Sequence, residues 1–241
     1  MGLTRDEYRL MKAVHDNNLQ SIKTLIGSGA WVNATSDLGS TCLHVASIKG
    51  ALALVSALVE TFEADVEIAN KDGHTALHLA AFNGRLSVVK YLLEHGASSH
   101  GMLSPPPSPP SSSDAENPPP PCGHGQSPIH LACVNGHVEV VRFLVERGAK
   151  MEATSKLGAT ALHYAAENGR FAVVKYLVEC GANLAAADAD GKTPLDKIRE
   201  DRYKDHERAE IIVYLEKQAR ARALPRSDPP NSPSLASPVL A

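Results

Sequence analysis

Four histidines recur at one place in a repeating pattern: His44, His78, His130 and His163. Their type and spacing could do chemistry, because imidazole ligates transition metals and moves protons near neutral pH. A zinc site requires ligands that converge on one ion at about 2 Å. These four stand one repeat apart, one to a unit. That arrangement makes them a ladder along the chain rather than a cluster, so metal ligation is the weaker reading. The cysteines Cys42, Cys122, Cys133 and Cys180 form no C-x-x-C pair and no Cys/His group with zinc spacing. They read as small buried or loop thiols of a reducing compartment, where disulfides are rare. No Ser/His/Asp set, paired-carboxylate pocket or phosphate-cradling glycine loop stands out. The chain is expected to be no enzyme and to hold no cofactor and no metal.

The histidines are embedded in a longer pattern. Residues Asp72 to Ala97 read DGHTALHLAAFNGRLSVVKYLLEHGA. Near copies open at Thr160-Ala161-Leu162-His163 and Ser127-Pro128-Ile129-His130, a looser one at Thr41-Cys42-Leu43-His44, and a last one at Thr193-Pro194-Leu195-Asp196. The opening positions 41, 75, 127, 160 and 193 are separated by 34, 52, 33 and 33 residues. A period near 33 built on T-x-L-H-x-A is a strong mark of repeat architecture. The pattern resembles the ankyrin repeat family, over most of the chain. The resemblance implies an all-α solenoid of about six helix-turn-helix units with hairpin loops. It also implies that each histidine ring bonds the hydroxyl three residues before it. Thr41 with His44, Thr75 with His78, Ser127 with His130 and Thr160 with His163 are then structural pairs, and Thr193 opens the last unit in the same way. Such a motif is specific for fold and poor testimony for any one function.

Within each unit the first helix begins at the Thr or Ser, which can cap orphan backbone donors. Gly50, Gly84, Gly136 and Gly169 turn the chain between two antiparallel helices, and runs such as Val88-Val89-Lys90-Tyr91-Leu92 supply the buried stripe of the second. Residues 5–34 read as a degenerate, capping first unit without the T-x-L-H signature. In the second unit Thr61-Phe62-Glu63-Ala64-Asp65 replaces the usual Gly-Ala and adds one residue. Residues 101–125, rich in Pro and Ser, break the period and supply the 19 residues by which that step exceeds it. Their composition predicts a disordered insert at a hairpin tip. Closing such a loop costs only about 0.6 kcal/mol per doubling of length, which favours one continuous stack. Two half-stacks joined by a linker are the alternative, in which each half would expose an apolar end. The expected organisation is repeats 1–3 in residues 1–100, the insert, repeats 4–6 in residues 126–220 with an extended turn near 203–208 and an atypical last unit, and a disordered tail in residues 221–241.

A net charge of −3 and a pI near 6.4 give no electrostatic footprint for nucleic acid. No apolar run of about 18 residues suggests a membrane span, and neither a signal-peptide core nor a myristoylation signal is read near Met1. A cytoplasmic or nuclear protein, monomeric on its own, is expected, with no nucleic-acid and no membrane partner. Solenoids offer an extended concave surface. In the family that the pattern resembles, binding residues come from the hairpin tips and the exposed end of the first helix. Matching positions give Leu38, Ile48 and Lys49 in the second unit, and Lys71, Asp72, His74, Phe82 and Asn83 in the third. They give Val134 and Asn135 in the fourth, and Lys156, Leu157, Glu167 and Asn168 in the fifth. Ile48, Phe82 and Val134 are apolar where solvent is expected, so they are candidates for a strip across three units with Phe82 at its centre. Trp31, after Gly29-Ala30, is either packed on a neighbouring loop or exposed as an anchor. The expected function is a non-catalytic protein-interaction module or scaffold. The alternative is an inhibitor or adaptor that masks a kinase, transcription factor or ubiquitin-ligase substrate, regulated by the insert. Ser104, Ser108, Ser232 and Ser237 each precede Pro and are possible phosphosites.

Overall fold

The helices that the period predicts are too short to stand alone. Isolated helices below about 12–15 residues are marginal in water, so these must be held by packing. A computed structural model of the chain describes residues 3–99, 125–200 and 206–223. The insert up to residue 124, with Cys122, Ser104 and Ser108, lies outside the described residues, as do residues 201–205 of the last turn and the tail from 224, with Ser232 and Ser237. The described residues form helices and turns, with no strand among them.

The helices come in antiparallel pairs: α1 (Arg5–His15) with α2 (Leu19–Gly27), α3 (Cys42–Lys49) with α4 (Leu52–Ser56), and α5 (Ala76–Phe82) with α6 (Leu86–Glu94). Then follow α7 (Pro128–Asn135) with α8 (Val138–Glu146), α9 (Ala161–Glu167) with α10 (Phe171–Glu179), and α11 (Pro194–Glu200) with α12 (His206–Ala223). Odd-numbered helices pack on one another as an inner layer, and even-numbered ones as an outer layer. The first five inner helices each place a large aliphatic side chain at one equivalent core position, whose counterpart in α11, Leu195, is half-buried. Leu10, Leu43, Leu77, Ile129 and Leu162 are at most 1% exposed, and burying each contributes about 2 kcal/mol. Ala46, Ala80, Ala132 and Ala165 are fully buried beside them. Small residues at these contacts let the inner helices lie close. Neighbouring helices pack more extensively along the inner layer than along the outer.

Three departures from a regular stack have local causes. The extra residue of the second unit is absorbed by a π-helical turn over Ala57–Thr61 that continues α4. Phe62 N–H donates to Ala57 O at 3.2 Å, and Glu63 follows at φ 54°. A π-bulge is how a helix accommodates one added residue without losing its ladder. The stack also continues across the insert. The inner helices α5 and α7 pack directly, Asn135 Nδ2 donates to Phe82 O at 2.6 Å, and Arg147 pairs with Glu94 at 3.7 Å. The half-stack alternative is therefore excluded, because an insertion at a hairpin tip leaves both helix layers free to close. Finally, α12 runs to Ala223, past the expected end of structure at residue 220. Arg222 holds its last turn by donating to Ala182 O at 2.7 Å and to Val178 O at 2.8 Å. It thereby gives the Ala182 carbonyl a donor and adds a second to Val178 O, which already accepts Gly181 N–H, placing a cation at the C-terminus of α10, where positive charge is favoured.

Candidate partner-binding surface

The recurrent histidines serve the scaffold. Backbone N–H of Thr41, Thr75, Ser127 and Thr160 donates to Nδ1 of His44, His78, His130 and His163 at 3.0–3.2 Å. An N–H can only donate, so Nδ1 is the acceptor and the ring proton is assigned to Nε2. The hydroxyl of the same Thr or Ser lies 2.8–3.0 Å from Nδ1, as the resemblance implied. Nε2 then reaches into the next unit, from His44 to His74 O, His130 to Ala153 O and His163 to Lys192 O, at 2.9–3.0 Å. His78 is the exception. Its ring faces the Gln126 backbone, where the chain returns from the insert, without completing a hydrogen bond among the described residues. Burial pushes His78 down to about 3 and His130 to about 4, and lowers His44 too. In the last unit Asp196 takes the histidine's place. Its carboxylate accepts from Thr193 N–H at 3.0 Å and from the Thr193 hydroxyl at 2.6 Å. It lacks the second ring nitrogen that would reach a following hairpin. Among the described residues no group of three or more His, Cys, Asp or Glu is arranged to hold a metal ion.

The hairpins are tight turns that stack by their backbones. Ser36, Asn70, Ser155 and Asp188 open them, and each side-chain oxygen accepts a backbone N–H within its own turn. This is the Asx- or Ser-type turn such residues favour. Neighbouring tips are joined by Lys71 N–H to Leu38 O at 3.0 Å and Ala189 N–H to Leu157 O at 2.9 Å. The tip glycine is needed twice over. Gly158 has φ 70°, and a Cβ there would meet Ala189 N at 2.6 Å. The stacked backbones thereby project the residue before each glycine outward. Leu38 is 72% and Leu157 51% exposed, and Lys71, Asp72 and Lys156 are exposed beside them.

The second part of the surface is the edge where inner helices end. Each turn there is capped by a cation or ring from the next unit. Arg85 Nε donates to Ile48 O at 2.9 Å, His137 Nε2 to Phe82 O at 3.0 Å, Arg170 Nε to Val134 O at 2.8 Å and Arg208 Nη2 to Glu167 O at 3.2 Å. Lys49 Nζ donates to His15 O in the same way. These rungs satisfy orphan carbonyls at helix C-termini, where positive charge is also favoured. Three of them, Arg85, His137 and Arg170, recur at one position of the pattern, directly after Gly84, Gly136 and Gly169, and that recurrence was the available signal for them. Ile48 and Leu52 stand beside the rungs at 40% and 39% exposure, and Leu19 occupies the equivalent of Leu52 in the first unit at 39%.

The structure sorts the sequence-derived candidates. Ile48, Phe82 and Val134 do align on this edge, but their exposure declines along it. Phe82 is half-buried, and Val134 is half-buried and packs on the core, so Phe82 is not the most exposed point. Asn83 and Asn168 spend their amides on carbonyls of their own helices, Leu79 O and Tyr164 O, at 2.8 and 2.9 Å, while Asn135 spends its amide on Phe82 O. All three serve the scaffold first. His74 is half-buried, its carbonyl taken by His44. Glu167 is exposed. Trp31 is 61% exposed rather than packed, and it sits in the turn after the outer helix α2, where Ala34 N–H donates to Trp31 O at 3.1 Å. Its exposure therefore belongs to a different loop from the hairpin tips.

Shallow depressions open at both ends of the stack, one between α1 and α2, and the other lined by Leu184, Leu195, Leu215 and Arg222. No helix among the described residues is long and apolar enough to cross a membrane. No curated protein matches the chain. A family model described as ankyrin repeats in three copies matches residues 10–100 and 110–188, well over half of the length. Repeat period, paired helices, Thr–His boxes and family match agree, and the chain belongs to the ankyrin repeat family.

Proposed function

We propose that this chain is a non-catalytic scaffold that binds a protein partner on its concave inner face, and that it acts in the cytoplasm or nucleus. Ankyrin repeats are in general protein-interaction modules. The observation that carries the proposal is that large apolar residues are held out from the stack on this face, above all Leu38 and Leu157 at hairpin tips and Ile48 at the inner-helix edge. Single exposed apolar residues are ordinary, but a set held in register by stacked backbones is preorganised for binding, which lowers the entropy lost on association. The compartment is supported by Cys42 and Cys133, buried free thiols that suit reducing conditions. The test is affinity purification from cells with wild type and with Leu38→Ala and Phe82→Ala variants, followed by affinity measurement on the recovered partner. Loss of the partner, or at least about 2 kcal/mol of affinity, is expected. An affinity within about twofold of wild type for both variants refutes the assignment to this face. A partner whose own activity falls on binding assigns a masking, inhibitor-like role.

A further inference from the structure

The inner edge has a charge pattern that its apolar residues share only in part of the stack. The turns joining inner to outer helix in the second and third units, residues 46–53 and 80–87, carry Lys49 and Arg85 and no Asp or Glu. The same turns elsewhere carry an acid: Asp16 in the first unit, Glu139 in the fourth and Glu167 in the fifth. Ile48 and Leu52, the most exposed apolar residues on the edge with Leu19, belong to the second unit, and Phe82 and Leu86 stand beside them in the third. Arg85 lies directly on this patch. Its Nε bonds Ile48 O, and its Cδ is 2.6 Å from where a Gly50 Cβ would stand. Its side chain and that of Lys49 are exposed, and Lys49 Nζ also donates to His15 O, beside Asp16 of the first unit.

We infer that this edge takes a segment of the protein partner in which Asp or Glu residues flank large apolar side chains. The inference rests on the inner-face reading above and adds the chemistry of what docks there. Ile48, Leu52 and Phe82 would receive the apolar side chains. Lys49 and Arg85 would face the carboxylates, and charge-assisted bonds to Arg are among the strong ones. Basic segments are disfavoured, since Lys49 and Arg85 repel them. Helices packed about 10 Å apart put the span from Ile48 to Val134 near 20 Å. That is about 13 helical residues, or about six extended ones.

The test uses a random library of about 16-residue peptides, sized from that span, displayed on yeast and selected on the purified full chain at low salt. Enriched peptides should combine Asp or Glu with Leu, Ile or Phe. Their affinity should fall at least about tenfold on Ile48→Asp and on the Lys49→Gln, Arg85→Gln pair, and should weaken as salt rises. Lys49→Gln and Arg85→Gln each remove a rung, so thermal melts of Lys49→Gln and of the pair must match wild type for the affinity loss to count. Basic or uncharged binders that still need Ile48 and Phe82 would overturn the acidic chemistry while leaving the inner-face reading intact. Binders indifferent to every one of these substitutions would overturn both. Self-association abolished by Ile48→Asp, or peptide binding that appears only after removal of residues 224–241, would show the edge occupied by this chain itself and would also overturn the inference.

Discussion

Acidification should loosen the stack before any carboxylate that it stabilises begins to titrate. His44, His78 and His130 are buried, and each accepts a backbone N–H at Nδ1, so the folded state holds them neutral. Burial lowers His78 from 6.5 to about 3 and His130 to about 4, and lowers His44 in the same direction. In the unfolded chain these rings titrate near about 6.5. Between that value and the folded ones, the unfolded state binds protons that the folded state refuses, so stability falls as pH falls. The loss is complete only below the folded values. Asp188 and Asp196, which are lowered from 3.8, withdraw their contribution only at more acid pH. Each refusing histidine costs about 1.4 kcal/mol per pH unit once the unfolded form is protonated. From about pH 7 to about pH 5.5, His78 and His130 together should remove roughly 2 kcal/mol, and His44 adds to it. Urea titrations followed by circular dichroism at the two pH values measure this directly, and His130→Asn should flatten the dependence by about 1 kcal/mol. Equal midpoints at both pH values, or a slope that His130→Asn leaves unchanged, would refute the assignment of neutral, buried rings.

Other consequences are open to equally direct measurement. Gly158→Ala should destabilise more than Gly96→Ala in thermal melts. Both have positive φ, 70° and 90°, but a Cβ at Gly158 meets the next hairpin's backbone at 2.6 Å while one at Gly96 meets nothing within 4 Å. Left-handed strain alone costs about 1–2 kcal/mol, and the backbone clash adds to it at Gly158. Arg222→Ala should cost about 1 kcal/mol and raise hydrogen exchange in the last turns of α12 and α10, because Ala182 O loses its donor and Val178 O is left with Gly181 N–H alone. Among Cys42, Cys133 and Cys180, alkylation followed by mass spectrometry should find Cys180 modified first. It is exposed, whereas burial pushes the Cys42 thiol to about 12 and raises Cys133 as well.

Several features of the fold and part of the candidate surface were legible in the chain because they are local or periodic. The step from Thr75 to His78 is one helical turn, and the family resemblance carried by that spacing implied the capping bond. The equivalence of Leu43, Leu77, Ile129 and Leu162 follows from the period, and so do the glycines that need positive φ. The tip leucines Leu38 and Leu157 were identified by the same alignment of units.

What one unit does to the next depended on tertiary structure. Arg85 reaches the Ile48 carbonyl and Asn135 the Phe82 carbonyl across 37 and 53 residues of sequence, and no local rule assigns such partners. These contacts turned asparagines expected to bind a partner into scaffold, and made Arg85, His137 and Arg170 rungs. Exposure along the edge was equally undecidable from residue type, since Ile48 and Val134 occupy equivalent positions but pack differently against their neighbours. The closing of α5 on α7 across the insert was likewise a matter of two apolar faces meeting in space. The repeating unit and its core could be read from the chain because they recur at one period. Which side chains the stacking consumes and which it leaves for a partner depends on contacts between units, and these exist only in the folded stack.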